Sequence, residues 1–320
     1  MTGVQTCALP ISSGYAAGSV DVVRLKLFGG DYVGVGECSP RAYVTGQTAD
    51  HVLADFASLK AGVLQFAQLK GSSAFAYNTA HINLLAQQHG QAVWQQWGIE
   101  TATALKPKLT AYTLSLDTPQ NMAQQAQAQA DFKILKLKID GNLDQNLQRL
   151  AAIKKARPDV SIYLDANQAI SSVADLAQLV QHTAAYNVQL IEQPFVKGSV
   201  LEKTLRPHHY STPIFADESC ATMADLPFLV QHYDGVNIKL DKTGGLTHAM
   251  ALAQAAQKLN LKIMVGCMGA GSLSIYPALL LANQFDVGYI DLDGAYLTAD
   301  DTNYVAYYDG MVAINKNAFD

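Results

Sequence analysis

Between residues 108 and 291 the chain repeats one phrase eight times: a short apolar run, then, in most repeats, a stretch with helical spacing. The runs fall at 108–114, 133–139, 160–165, 187–192, 213–217, 235–240, 261–266 and 287–291. Helical spacing fills 118–130, 142–156, 173–185, 222–232 and 246–259. Eight strands with crossover helices predict an α/β fold, a closed (β/α)7β barrel of the TIM type. The competing arrangement is an open doubly wound sheet, but no GxGxxG follows a first strand.

The flanks read differently. Residues 19–27 alternate like a strand, 28–31 form a turn, and 32–37 return as the second strand of a hairpin. Helical spacing over 48–69 and 74–97 completes a small α+β domain, residues 1–105, with Lys106-Pro-Lys108 at its boundary. The barrel then occupies 106–300, and the Tyr- and Asp-rich segment 301–320 is expected to return to the first domain. Residues 1–11 match the conceptual translation of a sequencing-library adapter with GTG read as the start. They are expected to be an assembly artefact, with a natural first strand missing.

The strand ends carry the chemistry. Asp165, Glu192 and Asp217 each close an apolar strand, 27 and 25 residues apart, one strand–helix repeat each. Successive barrel strands bring such acids to one rim. Three carboxylates without thiol or imidazole make a hard-oxygen site for Mg²⁺ or Mn²⁺. Lys136 and Lys138 alternate onto one face of the preceding strand. Their repulsion and a nearby metal are expected to depress their pKa values, so that one acts as a neutral base. Asn237 and Lys239 share a face of the strand after the last acid. In a closed barrel the second and sixth strands stand opposite, so lysines there flank a bound molecule and can move a proton from one face of a carbon acid to the other. A single lysine is ordinarily a surface residue; the ordered set is specific.

Composition excludes other classes. Lys+Arg 22 against Asp+Glu 27 gives −5, with no basic patch for nucleic acid or an anionic membrane and no apolar run long enough for a bilayer. Four scattered cysteines lack CxxC spacing, which points to reduced thiols in a cytoplasm rather than zinc or disulfides. The eight histidines show no ligand spacing, and His208-His209 read as loop residues. The Gln-rich run 120–129 reads as a helix surface.

Several stretches resemble the enolase superfamily, muconate-lactonising subgroup, and within it the dipeptide epimerases, most of all the L-Ala-D/L-Glu epimerases. They are Gly36-Glu-Cys-Ser-Pro40, Lys136-Leu-Lys138, Asp165-Ala-Asn-Gln168, Glu192-Gln-Pro194 and Ala216-Asp-Glu-Ser-Cys220. Val236-Asn-Ile-Lys-Leu-Asp-Lys-Thr-Gly-Gly-Leu246, Gly266-Cys-Met268 and Asp291-Leu-Asp-Gly294 complete the set. The resemblance, from about residue 18 onward, implies an α+β capping domain on the barrel and Mg²⁺ on Asp165, Glu192 and Asp217. It implies Lys138 as base for the (S) face and Lys239 for the (R) face, with Lys136 lending charge near the substrate carboxylate. Asp291 and Asp293 would hold the substrate's ammonium, Cys267 and Met268 would line its pocket, and Asn167, Asn237 and Glu218 would stand behind the ligands.

The implied substrate is a dipeptide from murein turnover; the implied enzyme is a cytoplasmic isomerase, compatible with a homo-oligomer. There are departures. Ala169-Ile170 stand where relatives have Gly-Trp, and Gly269-Ala-Gly271 where many have a Glu. The arginine that helps hold the glutamate side chain falls near Ser13, and Arg41 is the candidate to replace it. Other dipeptides, an o-succinylbenzoate synthase or cycloisomerase activity, and a non-catalytic binding protein are the competing readings.

Overall fold

The computed structural model describes residues 20–99, 105–285, 287–298 and 302–319, and residues 3–7 by their backbone. Strands β1 (Gly3–Cys7), β2 (Val20–Gly29) and β3 (Tyr32–Cys38) form an antiparallel sheet in that order, so the segment expected to be foreign supplies a strand. A short α1 (Ala42–Thr45) precedes α2 (Ala49–Lys60) and α3 (Gly71–Gln88). α3 lies directly on β3, because a side chain at Gly34 or Gly36 would strike the Ala80 or Ala76 carbonyl. Both helices are shorter than their periodicity predicts. α2 stops at Lys60, just before Gly62 (φ 72°), and α3 stops just before Gly90 (φ 62°).

The predicted strand at 108–114 splits. β4 (Lys108–Leu109) leaves the barrel to pair with the C-terminal hairpin, while β5 (Ala111–Leu114) begins the barrel. Then follow α4 (Pro119–Ala128), β6 (Ile134–Lys138), α5 (Leu143–Ala156), β7 (Ser161–Asp165), α6 (Val173–Thr183), β8 (Val188–Glu192) and β9 (Ile214–Ala216). The crossover between β8 and β9 contains only a 3-10 turn, Glu202–Thr204. After β9 come α7 (Leu226–His232), β10 (Gly235–Ile238), the single-turn α8 (Leu240–Thr243), α9 (Leu246–Lys258), β11 (Lys262–Gly266), α10 (Ser272–Gln284), β12 (Tyr289–Asp291) and α11 (Gly294–Leu297).

Three helix starts follow from their caps. Thr118, Asn142 and Ser172 accept hydrogen bonds from the backbone of Asn121, Gln145 and Asp175, each worth about 1 kcal/mol. The hairpin β13 (Val305–Tyr308) and β14 (Met311–Ile314) pairs with β4, and Phe319 meets the ring of Trp94 edge-on at 5.9 Å.

The barrel sheet runs β5 to β12 in sequence order, all parallel. Its two end strands meet through side chains: Thr113 N donates to Asp293 Oδ2 at 2.6 Å and Leu292 N to Thr110 Oγ1 at 2.8 Å. Alternation sorts the residues. Leu135, Leu137, Ile162, Leu164, Ile191 and Ile238 face the helices and are buried there. Ala111, Tyr163, Leu190, Phe215 and Met264 fill the lower interior as a separate apolar cluster, closed by Ile134 and Tyr289. One step higher on the same faces the inward residues are Thr113, Lys136, Asp165, Glu192, Asn237 and Asp291.

Candidate active site

Register decides which charges meet. Lys138, Asp165, Glu192 and Phe215 are aligned across β6–β9, so Asp217 stands two residues above the last of them on the same face. Lys136 Nζ, 2% exposed, sits 2.9 Å from Asp165 Oδ2, 2.8 Å from Glu192 Oε2 and 2.7 Å from Asp291 Oδ2. Lys138 Nζ donates to Asp165 Oδ2 (2.6 Å) and Asn167 Oδ1 (2.8 Å). Lys239 Nζ donates to Asp217 Oδ2 (2.7 Å) and lies 3.9 Å from Glu192 Oε1, which accepts from Asn237 Nδ2 at 2.6 Å. Asn167 and Gln168 hold left-handed φ values of 39° and 67°, a strained turn that brings Asn167 to Lys138 and, at 3.3 Å, to Glu218 Oε1.

Three further residues were not singled out by sequence. Lys242 reaches Asp217 Oδ1 (2.6 Å) and its carbonyl. Gln193 Oε1 accepts from the backbone N–H of Asp217 (2.9 Å) and Ser219 (3.2 Å). Thr113 holds Asp293. Lys242 and Gln193 lie inside quoted motifs, the only signal they offered.

The opposite wall carries Asp291 and Asp293, with Cys267, Met268 and Leu297 lining the same cavity. Arg41 comes from the cap. It is 7% exposed and donates to the carbonyls of Pro40 (3.2 Å) and Gly269 (3.3 Å), with no carboxylate in ion-pair reach among the described residues. The position near Ser13 lies outside the described residues.

Electrostatics corrects one expectation. The pKa of Lys136 is not depressed. Burial pulls Lys136 down, but Asp165, Asp291, Glu192 and Asp217 outweigh it and hold the amine well above its usual range. Lys239 is raised in the same way: burial and Lys136 lower it, and Asp217, Glu192 and Asp165 more than offset them. The strain appears on the acids. Burial and repulsion from Asp165 push Glu192 up to about 7, and burial with the Asp291 charge does the same to Asp293. Glu218 is raised by burial, Asp217 and Asp165. Asp165 and Asp217 are buried too, yet their lysines hold them low. Six carboxyl groups face the amines of Lys136, Lys138, Lys239 and Lys242, so acids outnumber amines at the site.

Among the described residues no three acids, thiols or imidazoles stand as a formed metal cage, because lysine amines lie between the carboxylates. The donor set nevertheless fits a hard cation. Glu192 Oε2 and Glu218 Oε2 are buried without a hydrogen bond, the former 2.8 Å from Lys136 Nζ in a geometry that makes none. All the charged donors are carboxylate oxygens, and the residual charge is negative.

An eight-stranded parallel barrel with acids on three successive strand ends and lysines on the strands flanking them defines an enolase-superfamily enzyme. The comparisons agree: residues 120–316 match the family described as Enolase C-terminal domain-like, and the chain belongs to it. An N-acetyl-D-glutamate racemase of Pseudoalteromonas sp is 38% identical over 76% of this chain and 74% of its own. The L-Ala-D/L-Glu epimerase of Escherichia coli (strain K12) is 37% identical over 82% and 81%. An Agrobacterium tumefaciens enolase-family member with homology to dipeptide epimerases, solved with sodium and L-Ala-L-Glu, superposes with a TM-score of 0.89 at 31% identity, covering 98% and 97%. The chain is thus an isomerase of the epimerase branch.

Proposed function

We propose that the protein epimerises a dipeptide with a C-terminal glutamate, L-Ala-D/L-Glu in kind, at the carbon bearing the free carboxylate. The observation that carries this reading is the pair Lys138 and Lys239, at the ends of the second and sixth of eight barrel strands. Two amines across one cavity suit removal of an α-proton from one face and its return to the other. Lys138, aligned by Asn167, serves the (S) face and Lys239 the (R) face; Lys136 keeps positive charge beside the substrate carboxylate.

Asp165, Glu192 and Asp217 would hold Mg²⁺, with Mn²⁺ a substitute. The cation supplies charge that stabilises the electrons left by the departing proton and weakens the carboxylates' grip on the lysines. Asp291 and Asp293 accept the substrate ammonium, which relieves the charge that pushes Asp293 up. Arg41 takes the glutamate side chain, a buried guanidinium in need of an anion. Such a substrate fits murein-peptide turnover in a cytoplasm. Among the described residues no helix is long and apolar enough to cross a membrane.

A second reading is racemisation of an N-acylated glutamate. Its support is the 38% identical relative, together with the salt bridge that already gives Asp291 a cation in Lys136. Purified protein with Mg²⁺ in D₂O, given L-Ala-L-Glu, L-Ala-D-Glu, N-acetyl-D-glutamate and neutral dipeptides, separates the two by mass increase. Exchange on the dipeptides supports the first reading; exchange confined to N-acetylglutamate replaces it with the second.

A further inference from the structure

The single turn α8 follows Lys239 directly, and its side chains point two ways. Lys242 reaches into the barrel toward Asp217. Asp241 turns outward into the seam with the cap, where it is 4% exposed. Its Oδ1 accepts from Ser39 N at 3.0 Å and from Ser72 Oγ at 2.9 Å, two donors on different cap elements more than 160 residues away in sequence.

Ser39 begins the loop that carries Arg41. Beyond Asp241, the start of that loop meets the barrel at the Gly269 carbonyl, which accepts from Ser39 Oγ (2.6 Å) and from Arg41 itself. Upstream, Glu37 at the end of β3 accepts from Gly271 N (2.8 Å). The charge of Asp241 also acts on Arg41 through space. The Asp241 carboxylate is therefore bound to both the Arg41 loop and the start of α3.

We propose that Asp241 is a positioning residue for substrate choice. It clamps the cap loop to the barrel so that the Arg41 guanidinium faces the cavity, and through that placement it sets the preference for an acidic over a neutral side chain. This rests on the reading of Arg41 given above.

The test compares wild type with D241A, D241N and S72A, each with Mg²⁺, on L-Ala-L-Glu and on L-Ala-L-Met, a neutral chain of similar length. A second readout needs no substrate: the rate at which trypsin cuts after Arg41. In D241A two buried donors lose their acceptor. We expect kcat/KM for L-Ala-L-Glu to fall roughly tenfold, mainly through KM, with L-Ala-L-Met changed less than about threefold and tryptic cleavage at Arg41 faster by about tenfold. D241N keeps an oxygen for both donors and should restore the preference and the protection. S72A removes one donor and should shift both readouts the same way, less far, and carries the test if D241A does not fold.

Equal loss on both substrates with unchanged cleavage, or no change in either readout, overturns the positioning of Asp241. If wild type shows no preference for glutamate over methionine, the Arg41 reading and the preference fail together, whereas cleavage accelerated only in D241A and S72A retains the clamp.

Discussion

The two walls of the cavity are built by different rules. On the barrel wall nearly every charge is bound more than once: Lys136 by three carboxylates, Asp217 by two lysines, Lys138 by Asp165 and Asn167. On the cap wall Arg41, which lines the cavity, donates to main-chain carbonyls, and its loop is steadied by a carboxylate from across the seam. The barrel wall sits on parallel strands over an apolar layer; the cap wall is a loop. A proton-transfer apparatus needs fixed geometry, whereas the part that reads a side chain can hang on few contacts and change with little cost to the rest.

The sharpest way to break that contrast is to remove a base. K138A should lose α-deuteron exchange from the L,L substrate, and K239A from the L,D substrate, each by about 10²–10⁴-fold. Exchange surviving in the double variant would end the two-base account. Removing the cation comes next. Chelation should abolish turnover and Mg²⁺ restore it, yet the fold should persist, because the lysines already neutralise most of the carboxylates. With the cation at 100 times its Kd, the melting free energy should rise by about 3 kcal/mol, and a chelated protein that unfolds outright would contradict this.

R41A should cost about 10- to 100-fold in kcat/KM on acidic dipeptides, the worth of a charge-assisted contact, and leave neutral ones near wild type. Equal losses would place Arg41 in the scaffold rather than in recognition. D293N should cost roughly tenfold on dipeptides and little on N-acetylglutamate, since asparagine keeps an acceptor for Thr113 N but loses the charge.

The smallest effect concerns the seam. Burial pushes Asp241 from 3.8 up to about 6, so the folded chain binds more protons than the unfolded one across that window. That contribution to stability is present below about pH 4 and is lost as pH rises through 6; melting curves of D241N should lack this slope.

The barrel and its rim were legible in the sequence because both are written locally. Alternation in Ile134–Lys138 fixes which face the lysines take, and the repeat spacing puts Asp165, Glu192 and Asp217 on successive strands. What escaped depends on contacts between distant residues. Lys242 finds Asp217 25 residues away, and Asp241 finds Ser39 at 202. The split of 108–114 is decided by a hairpin at the far end of the chain. The pKa of Lys136 went the other way because its repulsion with Lys138 was read from one strand. The acids that outweigh burial come from four other parts of the barrel.

The barrel seam has a consequence of its own. In the proposed reading Asp293 takes the ligand's amine, yet one of its oxygens also closes the ring by accepting Thr113 N at 2.6 Å. Specificity and architecture thus share an atom. A substitution that removes this acceptor to admit a different amino-terminal group must also restitch the cylinder, whereas a change of the Arg41 side chain leaves the strand closure untouched. Diversification should accordingly run faster at the cap-facing end of the ligand than at the end held by the last strand.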